Sequence, residues 1–259
     1  MQFQLVAALA ATLAVAAPSE APNGPRIVKI DESFPHGIGG ALDKVAQPGT
    51  AAPAGTMHTS SYRVRITYIN RDNTSIIVGH SLDPSSPNAN AYGDFHLGVG
   101  QDRTLEYFNG FRGMAHINLD SPGYRLTKAD ESGVEVSYVN SPGVGLAGDV
   151  DVSYVDGFSR SISCKCVDNN RTVGCSKELW ALHHCPNDNG VGSCRNPRRT
   201  DDHATSPTEF FAPCTYHGGA FTYPRADANT LYNGCPSERY VCCIGHGDEC
   251  MRYNNDPRK

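Results

Sequence analysis

The feature that most constrains this chain is its cysteine pattern: Cys164, Cys166, Cys175, Cys185, Cys194, Cys214, Cys235, Cys242, Cys243 and Cys250, with none before Cys164. An even set crowded into one half of a chain is the pattern of a disulfide framework made in an oxidising compartment. Five disulfides are therefore expected. About a thousand pairings are formally open, although the adjacent Cys242 and Cys243 must take different partners. Five loops closed at roughly 3 kcal/mol each would exceed the net stability of a typical domain, so reduction is expected to unfold the C-terminal half.

The N-terminus agrees with that compartment. Residues 1–17, MQFQLVAALAATLAVAA, are apolar, uncharged from Leu5 to Val15, and end in small residues suited to cleavage after Ala16 or Ala17, which reads as a secretory signal. No other stretch approaches the roughly 20 apolar residues of a membrane helix. Two sequons, Asn73-Thr74-Ser75 and Asn170-Arg171-Thr172, offer Asn73 and Asn170 for glycosylation. The net charge is −5 with scattered basic residues, which sets nucleic acid aside as a partner. No cofactor motif occurs, and a monomer is expected.

Residues 18–57 are rich in Pro, Gly and Ala without sustained periodicity, the composition of a disordered leader or pro-segment. A single domain is expected over residues 58–259, with a β body at about 60–160 and a Cys-rich lobe at about 161–252. Tyr62, Val64, Ile66 and Tyr68 alternate with polar residues, the period of a half-buried strand. Ile76-Ile77-Val78 after an Asn-Arg-Asp-Asn turn suggests the return strand of a hairpin. Further strands are expected around Phe95–Val99, Leu105–Phe108, Met114–Leu119, Val134–Val139 and Val150–Val155. That spacing favours a β-sandwich or flattened barrel. Beyond Phe158 we expect loops and one helix, Ser176–His184, with Ser176 as N-cap, Glu178 in the first turn, and Leu179 and Leu182 packed inward.

Chemistry is concentrated in VEVSYVNSPGVGLAGDVDVS. If the strands from Val134 and Asp149 pair antiparallel about Gly143, Val136 faces Val150 and Val134 faces Val152 on one apolar side. The other side then sets Glu135 opposite Asp151 and Ser137 opposite Asp149, with Cβ atoms about 4.5–5.5 Å apart. Like charges at that spacing raise one carboxyl pKa unless a cation or donor compensates. A solvated acidic strand face is the plainer reading of the same residues.

Three segments resemble the thaumatin-like family: YRVRITYINRDNTSIIVG from Tyr62, DVDVSYVDGF from Asp149, and GCSKELWALHHCP from Gly174, with NGCPSERYVC similar to its late Cys-Pro segment. The resemblance spans Tyr62 to Cys243. The family's Gly-x-x-x-Cys-x-Thr-Gly-Asp-Cys signature is absent, and Asn70-Arg71 stands where its first cysteine usually lies, so the disulfide set must differ. The resemblance implies a thaumatin-like sandwich with an acidic cleft formed by Glu135, Asp151 and Asp156, beside Asp149, with Arg112 as its arginine. It further implies binding of cell-wall polysaccharide such as β-1,3-glucan. The alternatives are a secreted effector or toxin acting on a host or competitor surface, and a weak endo-β-1,3-glucanase.

Three other patterns compete. His183-His184-Cys185 and Cys242-Cys243-x-x-His246 have metal-ligand spacing, but paired cysteines remove the thiolates, so no metal is expected. Arg198-Arg199 could be a dibasic processing site or a solvated pair. Tyr216, Phe221, Tyr223 and Tyr232 could stack on sugars or pack a core.

Overall fold

The computed structural model describes residues 63–88, 92–226, 230–246 and 250. The expected signal, the 18–57 leader and Tyr62 lie outside the described residues. In chain order the strands are β1 (Arg63–Asn70), β2 (Ile76–Leu82), β3 (Phe95–Leu97), β4 (Asp102–Phe108), β5 (Phe111–Leu119), β6 (Ser132–Ser141) and β7 (Gly145–Ser153). They continue with β8 (Gly157–Phe158), β9 (Ile162–Cys166), β10 (Thr172–Cys175), helix α1 (Leu179–Leu182), β11 (Cys194–Arg195) and β12 (Arg239–Ile244). The fold is mainly β, as expected. No helix among the described residues is long and apolar enough to cross a membrane.

Two five-stranded sheets, ordered β10-β9-β12-β1-β4 and β3-β2-β5-β6-β7, form the sandwich, with β8 and β11 as a small pair beside them. β1 shows why the alternation reads so clearly: Val64, Ile66 and Tyr68 are fully buried while Arg63, Arg65 and Thr67 are partly open. The inner face of the second sheet supplies Ile76, Val78, Ala115, Ile117, Val134, Val136, Val150 and Val152. Fully burying a side chain of this size contributes about 1.5–3 kcal/mol. Polar groups also cross the core. The Tyr107 hydroxyl lies 2.6 Å from that of Tyr68 and 2.8 Å from His80 Nε2, tying β1 and β4 to β2.

Three expectations need correction. β1 and β2 are not a hairpin, because they pair in different sheets: β1 with β12 and β4, β2 with β3 and β5. Asn70 explains the crossing. Its buried amide donates to the carbonyls of Thr74, Leu97 and Gly98, satisfying backbone acceptors that a hairpin ladder would otherwise have met. Second, the stretch after Phe158 is not only loops and one helix: β9, β10 and β12 complete the first sheet, so strands extend to Ile244. Third, α1 is one turn, capped by Glu178, whose carboxylate accepts from the Trp180 amide at 3.3 Å, while Ser176 precedes it as a buried residue. With so short a helix only Leu179 turns inward, and Leu182 is 52 % exposed.

All ten cysteines are paired: Cys164–Cys242, Cys166–Cys235, Cys175–Cys214, Cys185–Cys194 and Cys243–Cys250. Cys164 and Cys242 face each other across β9 and β12, while Cys243 points the other way to Cys250. The neighbours thus take different partners, as alternation along a strand requires. Cys175–Cys214 and Cys185–Cys194 fasten the loop-rich segment containing α1.

Candidate functional site

β6 and β7 pair in the register expected from sequence: Val134↔Val152, Glu135↔Asp151, Val136↔Val150 and Ser137↔Asp149. The turn is Pro142-Gly143-Val144, and Gly143 and Gly145 both have positive φ, which glycine adopts without steric cost. β7 is held on its far side too, since its carbonyls at Gly148, Val150 and Val152 accept from the amides of Asn233, Leu231 and Phe221.

The face opposite the core carries Ser81 from β2, Arg112, Met114 and His116 from β5, Glu135 and Ser137 from β6, and Asp149 and Asp151 from β7, by the same registers. It is not a solvated acidic face. Glu135 is 2 % exposed, Asp151 4 %, Asp149 6 % and Asp156 8 %. Met114, paired with Glu135 and itself buried, lies over Gly133, where any Cβ would collide with it. The space left among Glu135, Val136, Ser137, Asp149 and Asp151 is about 10 Å³, room for about one water.

Electrostatics follow from that burial. Both carboxylate oxygens of Glu135, and Oδ1 of Asp149 and of Asp151, have no hydrogen-bond partner among the described residues. Burial pushes the Glu135 pKa up. The Ser153 hydroxyl opposes the rise as the next largest influence, and the charges of Asp156, Asp149 and Asp83 then push it further up. Asp151 is raised well above the usual range by burial, then by Glu135 and Asp149. Burial also raises Asp149, with Glu238 adding to it and Thr230 and the Val150 amide opposing. Asp156 rises to about 7 through burial, with Arg199 opposing and Asp130 and Glu131 adding. Near neutral pH the cluster therefore retains protons and presents O–H donors beside carboxylate acceptors.

Arg112 shares this face, opposite Ser137, but pairs with none of the acids. Its Nη1 donates to the Ser85 hydroxyl at 3.3 Å, and its buried Nε has no partner among the described residues.

The sequence reading missed a second acidic centre beside the first. Asp130, just ahead of β6, is 5 % exposed and accepts from Arg195 (3.1 and 3.2 Å), Arg199 (2.7 Å) and Asn189 (3.2 Å). Burial pushes its carboxyl up, but hydrogen bonds from Arg195 and Asn189 and the two arginine charges bring it below the usual range. Gly157 permits the approach, because a Cβ there would strike the Asp130 carbonyl. Arg199 is thus engaged structurally, and Arg198 pairs with Asp201 at 3.0 Å. The Asp156-Gly157 step that sets this close approach was the signal available in the sequence.

The remaining candidates resolve locally. Cys166 and Cys235, which lie with Asp168 in ligand-like proximity, are disulfide-bonded and offer no thiolate. The same holds for Cys185, Cys242 and Cys243. Phe221 and Tyr223 pack with Val155, Ala204 and Ala226, and the Tyr216 hydroxyl donates to Gly174 O. Asn73 and Asn170 are exposed.

No protein-family model matches the chain, and no curated protein matches it in sequence. Among solved structures it is similar to the protein elicitor MoHrip2 from Magnaporthe oryzae, at 12 % identity over 41 % of this chain and 72 % of that one, with a TM-score of 0.28. It is also similar to the thaumatin-like xylanase inhibitor TLXI, at 15 % identity over 39 % of this chain and 76 % of that one, with a TM-score of 0.25.

Proposed function

We propose that this chain is an exported thaumatin-like protein that binds an extracellular polysaccharide, such as β-1,3-glucan, and does not hydrolyse it. The observation that supports this most is the set of unpartnered carboxyl oxygens on Glu135, Asp149 and Asp151, gathered on one sheet face. Unpaired polar atoms at such depth are costly, and carboxyl groups shifted this far from their ordinary range cluster at functional sites. A space of about one water admits a single hydroxyl of a polymer lying across the face, with Asp156 and Arg112 at its margins. It does not admit a sugar ring. Glycoside hydrolysis needs two carboxyl groups flanking the scissile bond, and this closed arrangement gives no support to the glucanase alternative.

Retention on insoluble β-1,3-glucan tests the reading. Native protein is expected to be retained more strongly at pH 5 than at pH 8, because ionisation removes the carboxyl donors. A Glu135→Gln plus Asp151→Asn variant should bind less at both. Equal retention of variant and parent would remove the site, and accumulation of reducing ends would replace binding by hydrolysis.

A further inference from the structure

A larger opening lies elsewhere, at the end of the sandwich where β5 and β12 finish and β2 and β9 begin. Its volume is about 740 Å³, within the range of small-molecule sites. The walls come from six separate stretches: Asp72 in the β1–β2 crossing, Tyr124 after β5, Arg160 before β9, Glu178 and Trp180 at α1, Asp188 and Gly192 in the loop before β11, and His246 after β12. None of these belongs to the carboxyl face.

The polar side of the cavity is incomplete. Asp72 is 5 % exposed, and its Oδ2 has no hydrogen-bond partner among the described residues; neither has the buried Nε of Arg160. These two orphaned atoms are 3.8 Å apart, too far for a hydrogen bond. On the same guanidinium, Nη1 stands 3.6 Å from Glu178 Oε2. Both contacts are ion pairs without a hydrogen bond, and Glu178 Oε2 also stands 3.3 Å from His246 Nδ1; buried charges whose hydrogen bonds are unmade are costly. A hydroxyl fits each gap because it accepts from the arginine and donates to the carboxylate at once. The two gaps lie on different sides of one guanidinium, Nε towards Asp72 and Nη1 towards Glu178, and call for two hydroxyls set around it, as one polyhydroxylated molecule offers.

The apolar side supports the same ligand. Tyr124 is 42 % exposed and packs against Gly192, where positive φ and the absence of a Cβ leave space for its ring. Trp180 is anchored by its Nε1 donating to Ser159 O at 3.3 Å and by edge contact with Phe210. Flat rings beside a donor–acceptor row suit a pyranose, which has hydroxyls at its rim and C–H groups on its faces. An anion is opposed by Asp72, Glu178 and Asp188, and a metal cation by Arg160.

We propose that this cavity is a saccharide site in which sugar hydroxyls bridge Asp72, Arg160 and Glu178 while the ring lies against Tyr124 and Trp180. It goes beyond the carboxyl-face reading and stands independently of it. The sugar has two possible sources, a free oligosaccharide or the chain's own glycan, because the sequon residue Asn73 lines the same cavity.

Trp180 is the sole tryptophan of the chain, so intrinsic emission reports on this cavity. The protein is titrated with laminarihexaose, cellohexaose, xylohexaose and chitohexaose, before and after enzymatic removal of N-glycans. A saturable emission change with at least one probe is expected. Arg160→Lys, which keeps the charge but loses the planar fork, should weaken it at least tenfold, as should Tyr124→Ala at an exposed position. Glu135→Gln plus Asp151→Asn should leave it unchanged. Binding only after deglycosylation assigns the site to the chain's own glycan; binding in both states assigns it to free sugar. No change with any of the four in either state overturns the proposal, as does parent-like binding by Arg160→Lys, which leaves the gaps to water.

Discussion

Asp130 and Glu135 are five residues apart in sequence and both almost closed to solvent, yet their carboxyl groups are driven in opposite directions. Asp130 is held charged by Arg195, Arg199 and Asn189, whereas Glu135 faces Asp151 and Met114 by strand register and keeps its proton. The difference lies in what each position can be reached by. Asp130 sits ahead of β6, where the 189–199 loop brings long cationic side chains over it. Glu135 sits on an interior strand, where its paired neighbours, Met114 and Asp151, are dictated by register and neither is basic. Glu135 also lies deeper, so heavier desolvation and the lack of a paired cation act together on it, while a shallower place and two arginines keep Asp130 charged.

The largest expected effect comes from erasing that difference. In an Arg195→Ala plus Arg199→Ala variant, Asp130 becomes a second buried acid without a cation; because the arginines are themselves 49 % and 30 % exposed, the cost lies at the low end of what breaking a buried pair takes, about 3 kcal/mol. For a domain of this size that is a Tm lowered by roughly 10 °C. Adding Asp130→Asn should recover part of the loss. A double variant melting within about 2 °C of the parent, less than 1 kcal/mol, would mean that the arginines are only a surface decoration.

The next effect is a pH dependence. Glu135, Asp149, Asp151 and Asp156 are raised in the folded state, so between the unfolded carboxyl range and the folded pKa the native protein holds more protons than the unfolded chain. Stability must then fall as pH rises. The buried histidines work the other way: burial lowers His80 to about 4 and His116 to about 3, adding stability as pH climbs towards 6.5. Above that pH each unfolded imidazole has only half a proton left to lose, a remaining gain of about 0.4 kcal/mol per histidine, and Asp130 is ionised in both states. From pH 6.5 to 8 the acid cluster dominates, costing about 2 kcal/mol for each retained proton, or a Tm lower by roughly 4–8 °C. Glu135→Gln should flatten the fall and raise Tm at pH 8 while changing little at pH 5. A flat profile in the parent would show that the cluster is not protonated.

This contrast also shows how much of the molecule is legible in the sequence. The β6–β7 register was readable because four valines must share one face, and a one-residue slip would bury the acids in the core. β9 and β12 were hidden for a definite reason. Ile162, Cys164 and Cys166 alternate, as do Tyr240, Cys242 and Ile244, and all six are buried. Counting cysteine as a cross-link rather than as an apolar residue conceals a period of two. The closure of the acid face was not readable, because Met114 reaches Glu135 only through the pairing of β5 with β6. The end cavity was hidden more deeply, since Asp72, Arg160 and His246 come together only through the sheet topology.

The smallest expected effect concerns Arg112, the arginine that the family resemblance assigns to the acids. It lies one row from the Glu135–Asp151 pair, on the same face, so its removal distinguishes proximity from compensation. The charges that shift Glu135, Asp149 and Asp151 are those of other acids, and the Arg112 fork reaches Ser85 instead. Arg112→Ala should therefore leave the fall in Tm from pH 6.5 to 8 unchanged. Its cost at any one pH should stay within about 1 kcal/mol, since only a long hydrogen bond and partial packing are lost. A steeper fall in the variant would mean that Arg112 does stabilise ionised acids. Glu135 would then differ from Asp130 in the strength of its cation, not in lacking one.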